Sequence, residues 1–257
     1  MGTGGKKILA RYKRGVISTC VWIGTLVVAF LVTPALAQSV TVTVPGISNP
    51  YLSGMPGGST CCSGDSVPAQ SPVQVTGLVL APGTVLTFTA TGGIDFGGSP
   101  PSVGPDGSFL FTTPSTNGIS GATWPANSLV GVFLDNSQPD STAAPPDLDF
   151  GSGAGTSFAT LSPALKQVFF IGDGRTGTGS GTTQTFVIPA GATRLFVGAS
   201  DGFGWFNNSG SFSVTVSPAQ APPAASTAAN VPTLSESMLV ILALVLAAGA
   251  MVTLRRG

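Results

Sequence analysis

Residues 85–91 read VLTFTAT, and residues 211–216 read SFSVTV. In both runs an apolar side chain alternates with a threonine or serine, as at Phe88 and Thr89 or at Phe212 and Ser213. Successive side chains of a β-strand point to opposite faces. Each run therefore predicts a strand with one apolar face, turned to a core, and one hydroxyl-bearing face.

The region from residue 38 to 216 contains further short apolar runs, separated by clusters of Gly, Pro, Asn, Asp and Ser, and shows no sustained helical period. Short strands between such turns are typical of an all-β fold, and about 180 residues suffice for one core. We therefore predict a single jelly-roll-like antiparallel β-sandwich. Its expected strands are 39–44, 73–80, 85–91, 109–113, 128–134, 167–171, 182–188, 193–198 and 211–216.

The first 37 residues are typical of a signal peptide. Five basic residues lie between positions 6 and 14, an apolar run covers 16–32, and Ala35-Leu36-Ala37 has the small-residue pattern of a cleavage site. We expect a signal helix that is removed after Ala37. Because the apolar run is long, a retained N-terminal anchor is the alternative.

The last 27 residues read VPTLSESMLVILALVLAAGAMVTLRRG and follow a Pro/Ala/Ser-rich linker at 217–230. The apolar run 238–254 would be about 25 Å long as a helix, barely enough to span a membrane, and its two terminal arginines favour the cytoplasmic side. The tail resembles the IPTL-CTERM sorting signals, which implies an exosortase-type processing enzyme as partner; a plain anchor helix is the alternative. The residues that carry the resemblance are Val231, Pro232, Thr233, Leu234, Arg255 and Arg256.

Charge is scarce and unevenly distributed. Only 8% of the 257 residues are charged, and residues 38–230 carry nine Asp, no Glu and three bases, a net charge of −6. This balance argues against nucleic acid as a partner and favours a divalent cation. The absence of His excludes Ser-His-Asp and Cys-His catalytic centres, so we predict that the protein is not an enzyme.

Three other motifs have simple explanations. Gly172, Gly174 and Gly177 match a dinucleotide-binding pattern, but no helix pattern follows them, so we predict a turn. Cys61 and Cys62 are adjacent, which favours surface thiols or a strained vicinal disulfide. Asp147-Leu148-Asp149 places two carboxylates on one side of an extended segment, as a metal site or a glycosidase would need, or forms a solvated loop.

The strongest candidate site lies in DGFGWFNNSGS, residues 201–211. Calcium takes six to eight oxygen ligands from carboxylates, Asn side chains and main-chain carbonyls, and a glycine-rich loop with Asp201, Asn207 and Asn208 offers all three. An Asn/Gly turn with side chains that cap the backbone is the alternative. Trp124 and Trp205 are candidates either for stacking on a sugar ring or for the core.

Residues 195–216, LFVGASDGFGWFNNSGSFSVTV, resemble the closing segment of the PA-IL-like, calcium-dependent galactophilic lectins of bacteria. Residues 82–98 resemble that family's early hairpin, and residues 128–134 give a weaker match. The resemblance implies a calcium ion to which a sugar binds through two adjacent hydroxyls. The implied calcium ligands are Asp201, Asn207 and Asn208 through side chains, Phe96 through its carbonyl, and a loop carbonyl of Gly204 or Trp205; the implied sugar contacts are Asp201, Asn208, Asn117 and Trp205.

This sequence departs from the family pattern in its loop, which is one residue shorter, and in lacking the sugar-contacting His. Residues 135–164 have no counterpart. We expect an exported, surface-sorted or membrane-anchored calcium-dependent carbohydrate-binding protein, with Trp205 and Phe206 beside the ion and with homo-oligomers possible. The alternatives are a structural envelope or matrix protein and, more remotely, a glycosidase that uses Asp147 and Asp149.

Overall fold

Two long strands, Val85–Phe96 and Asn208–Ala219, form the longest antiparallel pair of the fold. They pair without interruption from Val85 opposite Ala219 to Phe96 opposite Asn208. The alternating run 85–91 lies in the first strand and the run 211–216 lies in the second. Apolar side chains of both runs are buried, Phe88 and Phe212 among them. The alternation therefore produces the core face that it predicts.

The structure is a computed structural model that describes residues 38–97, 101–152 and 154–219. The predicted signal segment, the linker beyond residue 219 and the whole sorting tail lie outside these residues, including Val231, Pro232, Thr233, Leu234, Arg255 and Arg256. Within the described ranges, no helix is long and apolar enough to cross a membrane.

The described residues form strands joined by turns and by 3₁₀ segments of three residues. The strands are β1 Val40–Pro45, β2 Thr60–Cys61, β3 Asp65–Ser66, β4 Val73–Val75, β5 Val85–Phe96, β6 Leu110–Thr113, β7 Ala122–Pro125, β8 Leu129–Leu134, β9 Leu148–Asp149, β10 Thr160–Leu161, β11 Val168–Phe170, β12 Arg175–Gly177, β13 Ser180–Thr183, β14 Thr185–Val187, β15 Arg194–Ala199 and β16 Asn208–Ala219. The 3₁₀ segments are Pro50–Leu52, Cys62–Gly64, Pro139–Ser141 and Trp205–Asn207.

Two larger sheets build the core. One has the strand order β1-β16-β5-β14-β10, and the other has the order β11-β8-β15-β4. Phe169 of the second sheet lies 5.6 Å, between ring centroids, from Phe186 of the first, and Phe186 also meets Phe88 edge-on at 5.0 Å. The apolar faces of both sheets thus meet in one aromatic-rich core, which gives a β-sandwich-like arrangement.

The prediction of an all-β fold is confirmed for the described residues, and most predicted strands match observed ones within a few residues. Several details differ. The predicted strand 182–188 is two strands divided at Gln184, a buried residue whose side chain donates hydrogen bonds to the carbonyls of Thr156 and Phe158. The predicted strand 73–80 ends at Val75, and strands β2, β3, β7, β9, β10 and β12 are not predicted. Two short pairs, β10 with β14 and β7 with β9, are parallel.

The long strand pair extends further than the sequence predicts at both ends. The glycines at 92 and 93 predict an end of the strand, but β5 passes through both of them. A side chain at Gly92 would collide with the Ser211 carbonyl oxygen of β16, so glycine is what allows the two strands to stay paired there. Gly92 has a φ of 104°, which glycine adopts readily. At the other end β16 continues to Ala219, three residues beyond the predicted domain boundary. The extension brings Phe96 to the start of β16.

Candidate functional site

The loop between β15 and β16 is anchored by Trp205. Its indole is fully buried, its Nε1 donates a hydrogen bond to the Ala199 carbonyl at 2.7 Å, and its ring meets Tyr51 edge-on with the centroids 5.9 Å apart. The indole therefore packs in the core, and it does not line the cavity beside Asp201 that is described below. The carbonyl of Trp205 accepts the backbone N–H of Asn208, which closes the turn into β16.

Asp65 binds the same loop through hydrogen bonds to its backbone. This fully buried carboxylate accepts the backbone N–H of Trp205 at 2.9 Å on Oδ2 and that of Phe206 at 3.0 Å on Oδ1. Oδ2 also accepts the Asn49 amide at 3.0 Å. Charge-assisted hydrogen bonds to backbone amides fix a loop strongly. Sequence reasoning missed Asp65, because it lies 140 residues from Trp205, on the two-residue strand β3, in a stretch with no motif.

Asp201 stands at the other side of the loop with one oxygen unused. The residue is 8% exposed, and its Oδ1 accepts the Phe203 N–H at 3.1 Å, whereas Oδ2 is buried and has no hydrogen-bond partner among the described residues. Burial raises the pKa of this carboxyl above its usual range, and the Phe203 amide opposes the rise only in part. The ionised form therefore lacks the compensation that a cation would supply.

Asn208 presents a second unused oxygen. The residue is 7% exposed, and its Nδ2 donates to the Gly46 carbonyl at the end of β1, at 3.0 Å. That bond sets the orientation of the amide, because a reversed side chain would bring two acceptor oxygens together. Its Oδ1 is buried without a partner in the described chain. The Asn208 amide also lies close enough to Asp201 to lower its pKa, although its hydrogen bond goes to Gly46.

The other predicted ligands gather at the same strand ends. Phe96 is the cross-strand partner of Asn208, and opposite residues of an antiparallel pair lie about 4.5–5.5 Å apart between Cα atoms. Asn207 is exposed, and its Nδ2 would lie 3.7 Å from a Cβ at Gly97. Residues with carboxylate, amide and carbonyl oxygens thus lie on the loop and on the strand ends next to it, and donors of these kinds suit a hard cation such as calcium.

The described residues contain no group of three or more His, Cys, Asp or Glu side chains that could hold a metal. The donor set around Asp201 has one carboxylate, and its other members are amides and main-chain carbonyls. Its fit to calcium therefore rests on the two unpaired oxygens, Asp201 Oδ2 and Asn208 Oδ1. Both are acceptors that a cation would satisfy and that a protein donor does not.

Asp201 opens into a cavity of about 370 Å³, referred to below as the Asp201 cavity. Aromatic side chains line it, and Phe96, Phe109 and Phe203 among them are 45%, 60% and 69% exposed. Asn127 lines it as well; this residue is fully buried, and neither its Oδ1 nor its Nδ2 has a partner among the described residues. A cavity with aromatic walls and a few unpaired polar groups is suited to a small polar ligand.

Asn127 is a second residue that sequence reasoning missed. It follows Trp124-Pro125-Ala126 and precedes the strand that begins at Leu129, in a stretch without a recognisable motif. Its φ of 59° is a left-handed conformation that Asn tolerates better than most residues. The sequence around Asn127 gives no signal of its role, because its backbone conformation is seen only in the structure.

Two other predicted site residues lie apart from this cavity. Asn117 donates its Nδ2 to the Tyr51 carbonyl at 3.0 Å and lines a separate cavity of about 380 Å³ together with Asp140 and Thr142. Trp124 is fully buried on β7, which settles its role as a core residue. Phe206 is 53% exposed but is not among the residues that line the Asp201 cavity.

The remaining motifs have local structural roles. Asp147 accepts the Gly121 N–H at 2.7 Å, and Asp149 accepts the Gly151 N–H and the Ser152 hydroxyl, which lower the pKa of its exposed carboxyl. Neither lines the Asp201 cavity.

Gly172 and Gly174 of the glycine motif lie in a turn, as predicted, whereas Gly177 is the last residue of strand β12. Cys61 and Cys62 are free thiols, each partly buried.

Comparisons with known proteins do not assign this chain to a family. No family model matches it, and no curated protein matches it.

Proposed function

We propose that the chain is an exported calcium-dependent carbohydrate-binding protein with a jelly-roll-like β-sandwich of the PA-IL-like kind. The observation that carries the proposal is the pair of buried, unpaired acceptor oxygens, Asp201 Oδ2 and Asn208 Oδ1, beside the carbonyl end of β5. A buried carboxylate that is short of donors is destabilised by burial, and a bound cation removes that penalty.

The residues that would hold calcium are Asp201, Asn207 and Asn208 through their side chains and Phe96 through its carbonyl. The main-chain carbonyl of Gly204 or Trp205 would be the last calcium ligand that the protein supplies. Calcium, when bound, supplies a positive charge with coordination positions that sugar hydroxyls fill in place of water. Asp65 and Trp205 hold the loop in place before any ligand arrives, so little ordering is needed on binding.

The Asp201 cavity supports a sugar as the ligand. Its exposed phenylalanine rings offer apolar surface to the C–H faces of a sugar, and Asn127 offers a donor and an acceptor to its hydroxyls. The buried Trp205 indole leaves the stacking role to Phe203 and Phe109. The ligand class is a galactose-like or other vicinal-diol sugar, and no catalytic step is proposed.

Delivery and anchoring belong to the same proposal. The signal segment 1–37 takes the chain across the cytoplasmic membrane, and the sorting tail 231–257 holds it at the membrane or, after processing by an exosortase-type enzyme, at the cell surface. Loss of surface display on replacing Val231-Pro232-Thr233-Leu234 with four alanines tests this part. Unchanged display would leave the tail as a plain anchor.

Calorimetric titration of the full chain, kept in solution by mild detergent because of its apolar ends, tests the calcium site. We expect calcium uptake that Asp201→Ala abolishes and Asp149→Ala leaves intact. A glycan array in calcium, repeated with chelator, then tests the sugar. Absence of calcium uptake, or uptake unaffected by Asp201→Ala, contradicts the proposal.

The burial of Trp205 favours one rival function, a structural envelope or matrix protein in which calcium only fastens the loop. In that case chelation still lowers the melting temperature, but no glycan on the array binds in calcium. Calcium-dependent glycan binding that is lost in Asn127→Leu argues against the rival, because Asn127 faces the ligand cavity.

A further inference from the structure

Unpaired buried polar atoms are concentrated on both sides of the Gly202-Phe203 turn. Eight such side-chain atoms occur among the described residues, and five of them belong to residues that line two cavities flanking this turn. Three of the five are in the Asp201 cavity. Buried polar groups are normally paired, so a concentration of unpaired ones marks a place where ligand groups are expected.

The second cavity, named here the Tyr51 cavity, has a volume of about 210 Å³. Tyr51 is fully buried and Thr113 is 5% exposed; both line this cavity, and neither side-chain oxygen has a hydrogen-bond partner in the described chain. The volume is several times the roughly 30 Å³ that one water molecule occupies in the liquid. The cavity therefore has room for a larger group with hydroxyls.

The two hydroxyls lie near each other but do not pair. Burial raises the pKa of the Tyr51 phenol above its usual value, and the Thr113 hydroxyl is close enough to oppose that rise. The geometry nevertheless falls short of a hydrogen bond between them. Each hydroxyl is thus available both to donate to and to accept from a ligand.

The three cavities are neighbours that share wall residues. Gly202 and Phe203 line both the Asp201 cavity and the Tyr51 cavity, and Thr116 lines both the Tyr51 cavity and the 380 Å³ cavity that contains Asn117. No Lys or Arg lines any of the three. Hydroxyl, amide and aromatic walls without a base fit an uncharged polyhydroxylated chain better than an anion.

We infer that the ligand is an extended oligosaccharide, whose first residue lies in the Asp201 cavity and whose next residue lies in the Tyr51 cavity on the hydroxyls of Tyr51 and Thr113. The inference rests on the proposed function. From the Tyr51 cavity the chain continues toward Asn117 and Asp140, so the predicted sugar contact at Asn117 belongs to a later residue of the ligand.

Affinity as a function of ligand length tests this inference. Galactose, mannose, fucose and glucose are titrated in calcium against the full chain in mild detergent, followed by linear di-, tri- and tetrasaccharides of each of the four. We expect affinity to rise about tenfold from the monosaccharide to the oligosaccharides of the sugar that binds, as one or two added hydrogen bonds would give.

The double variant Tyr51→Phe, Thr113→Val removes both hydroxyls and puts a methyl group in place of the one at Thr113. It should abolish the gain with length while the affinities for the monosaccharide and for calcium stay unchanged, and its fold should not weaken because both oxygens are unpaired. Thr160→Val, which removes an exposed hydroxyl that pairs with Thr185 on another strand, is the matched control and should keep the gain.

Cys62 provides a second readout, because it lines the Tyr51 cavity. The neighbouring Cys61 thiol lowers the pKa of the Cys62 thiol, which favours alkylation of Cys62. We expect the trisaccharide, but not the monosaccharide, to protect Cys62 from alkylation, as followed by peptide mass spectrometry.

Three results would overturn the inference. Equal affinity for all lengths, or protection of Cys62 by no oligosaccharide, overturns the extended site and leaves calcium-dependent binding of a single sugar standing. Binding of no sugar of any length overturns both the extended site and the proposed carbohydrate function.

Discussion

Two buried carboxylates flank one loop, and they are arranged in opposite ways. Below the loop, Asp65 receives three hydrogen bonds, two from loop amides and one from Asn49. On the cavity side, Asp201 receives one from Phe203 and leaves Oδ2 unpaired. The difference teaches that burial alone does not define a site. A buried carboxylate whose oxygens all accept hydrogen bonds stabilises the loop, whereas a buried carboxylate with an unpaired oxygen can bind a ligand.

The largest expected effect comes from removing the saturated carboxylate. Asp65→Ala leaves the backbone amides of Trp205 and Phe206 without this acceptor and removes one of the two acceptors of the Asn49 side chain. It should lower the free energy of unfolding by about 3–5 kcal/mol, with or without calcium. Urea denaturation measures it. Asp149→Ala, at an exposed turn, should cost less than about 1 kcal/mol. A similar small cost for both would show that Asp65 does not fasten the loop.

In the absence of metal, Asp201→Asn should change the free energy of unfolding in the opposite direction to Asp65→Ala. Replacing the uncompensated charge with a neutral amide should stabilise the metal-free protein by about 1 kcal/mol at pH 7. At calcium 100-fold above the dissociation constant, the wild type should gain about 2.7 kcal/mol and the variant nothing. Thermal denaturation with and without chelator measures both, and Asp149→Asn should respond like the wild type. A variant that still gains stability from calcium contradicts the assigned site.

The pH dependence separates the two carboxylates further. Because burial raises the pKa of Asp201, the unfolded chain, with an Asp pKa of about 3.9, ionises first as the pH rises. Between that value and the raised pKa, Asp201 should therefore lower the stability of the metal-free fold. This loss should be absent in Asp201→Asn. Over the same window the stabilisation by calcium should grow, since protons and calcium compete for the carboxylate.

Melting temperatures measured from pH 4 to 7, with calcium and with chelator, follow both trends. The wild type is compared with Asp201→Asn, so the contributions of the other acidic residues cancel. A wild-type profile parallel to that of the variant would mean that Asp201 does not titrate with a raised pKa.

The smallest expected effect on stability is at the cavity rim. Phe203 is 69% exposed, so Phe203→Ser should change the free energy of unfolding by no more than about 0.5 kcal/mol. It should nevertheless weaken sugar binding about three- to tenfold, as loss of an aromatic contact does. Phe206→Ser, also at an exposed ring but off the cavity wall, is the control. Equal effects of the two variants on affinity would place the sugar elsewhere.

Much of the site could be predicted because its residues are close in sequence. Asp201, Asn207 and Asn208 share one loop of eight residues, and their oxygen chemistry is readable there. Asp65, Asn127 and Gly46 could not be predicted as its neighbours, because each comes from a segment far away in the sequence; Asn208 and Gly46, for example, are 162 residues apart. Trp205, a predicted sugar contact, is buried instead, because its indole N–H donates a hydrogen bond to the Ala199 carbonyl and its ring packs against Tyr51.

By itself, the sequence determined the all-β class, the apolar face of each long strand and the grouping of Asp201, Asn207 and Asn208 in one loop, since these depend on side-chain alternation and local composition. The tertiary structure alone decided the register that sets Phe96 opposite Asn208, the clamp at Asp65 and the neighbouring cavities from Asp201 to Asn117. The physical reason is that alternation specifies which face a side chain occupies, whereas its partner across the sheet depends on register, which only the packed core selects.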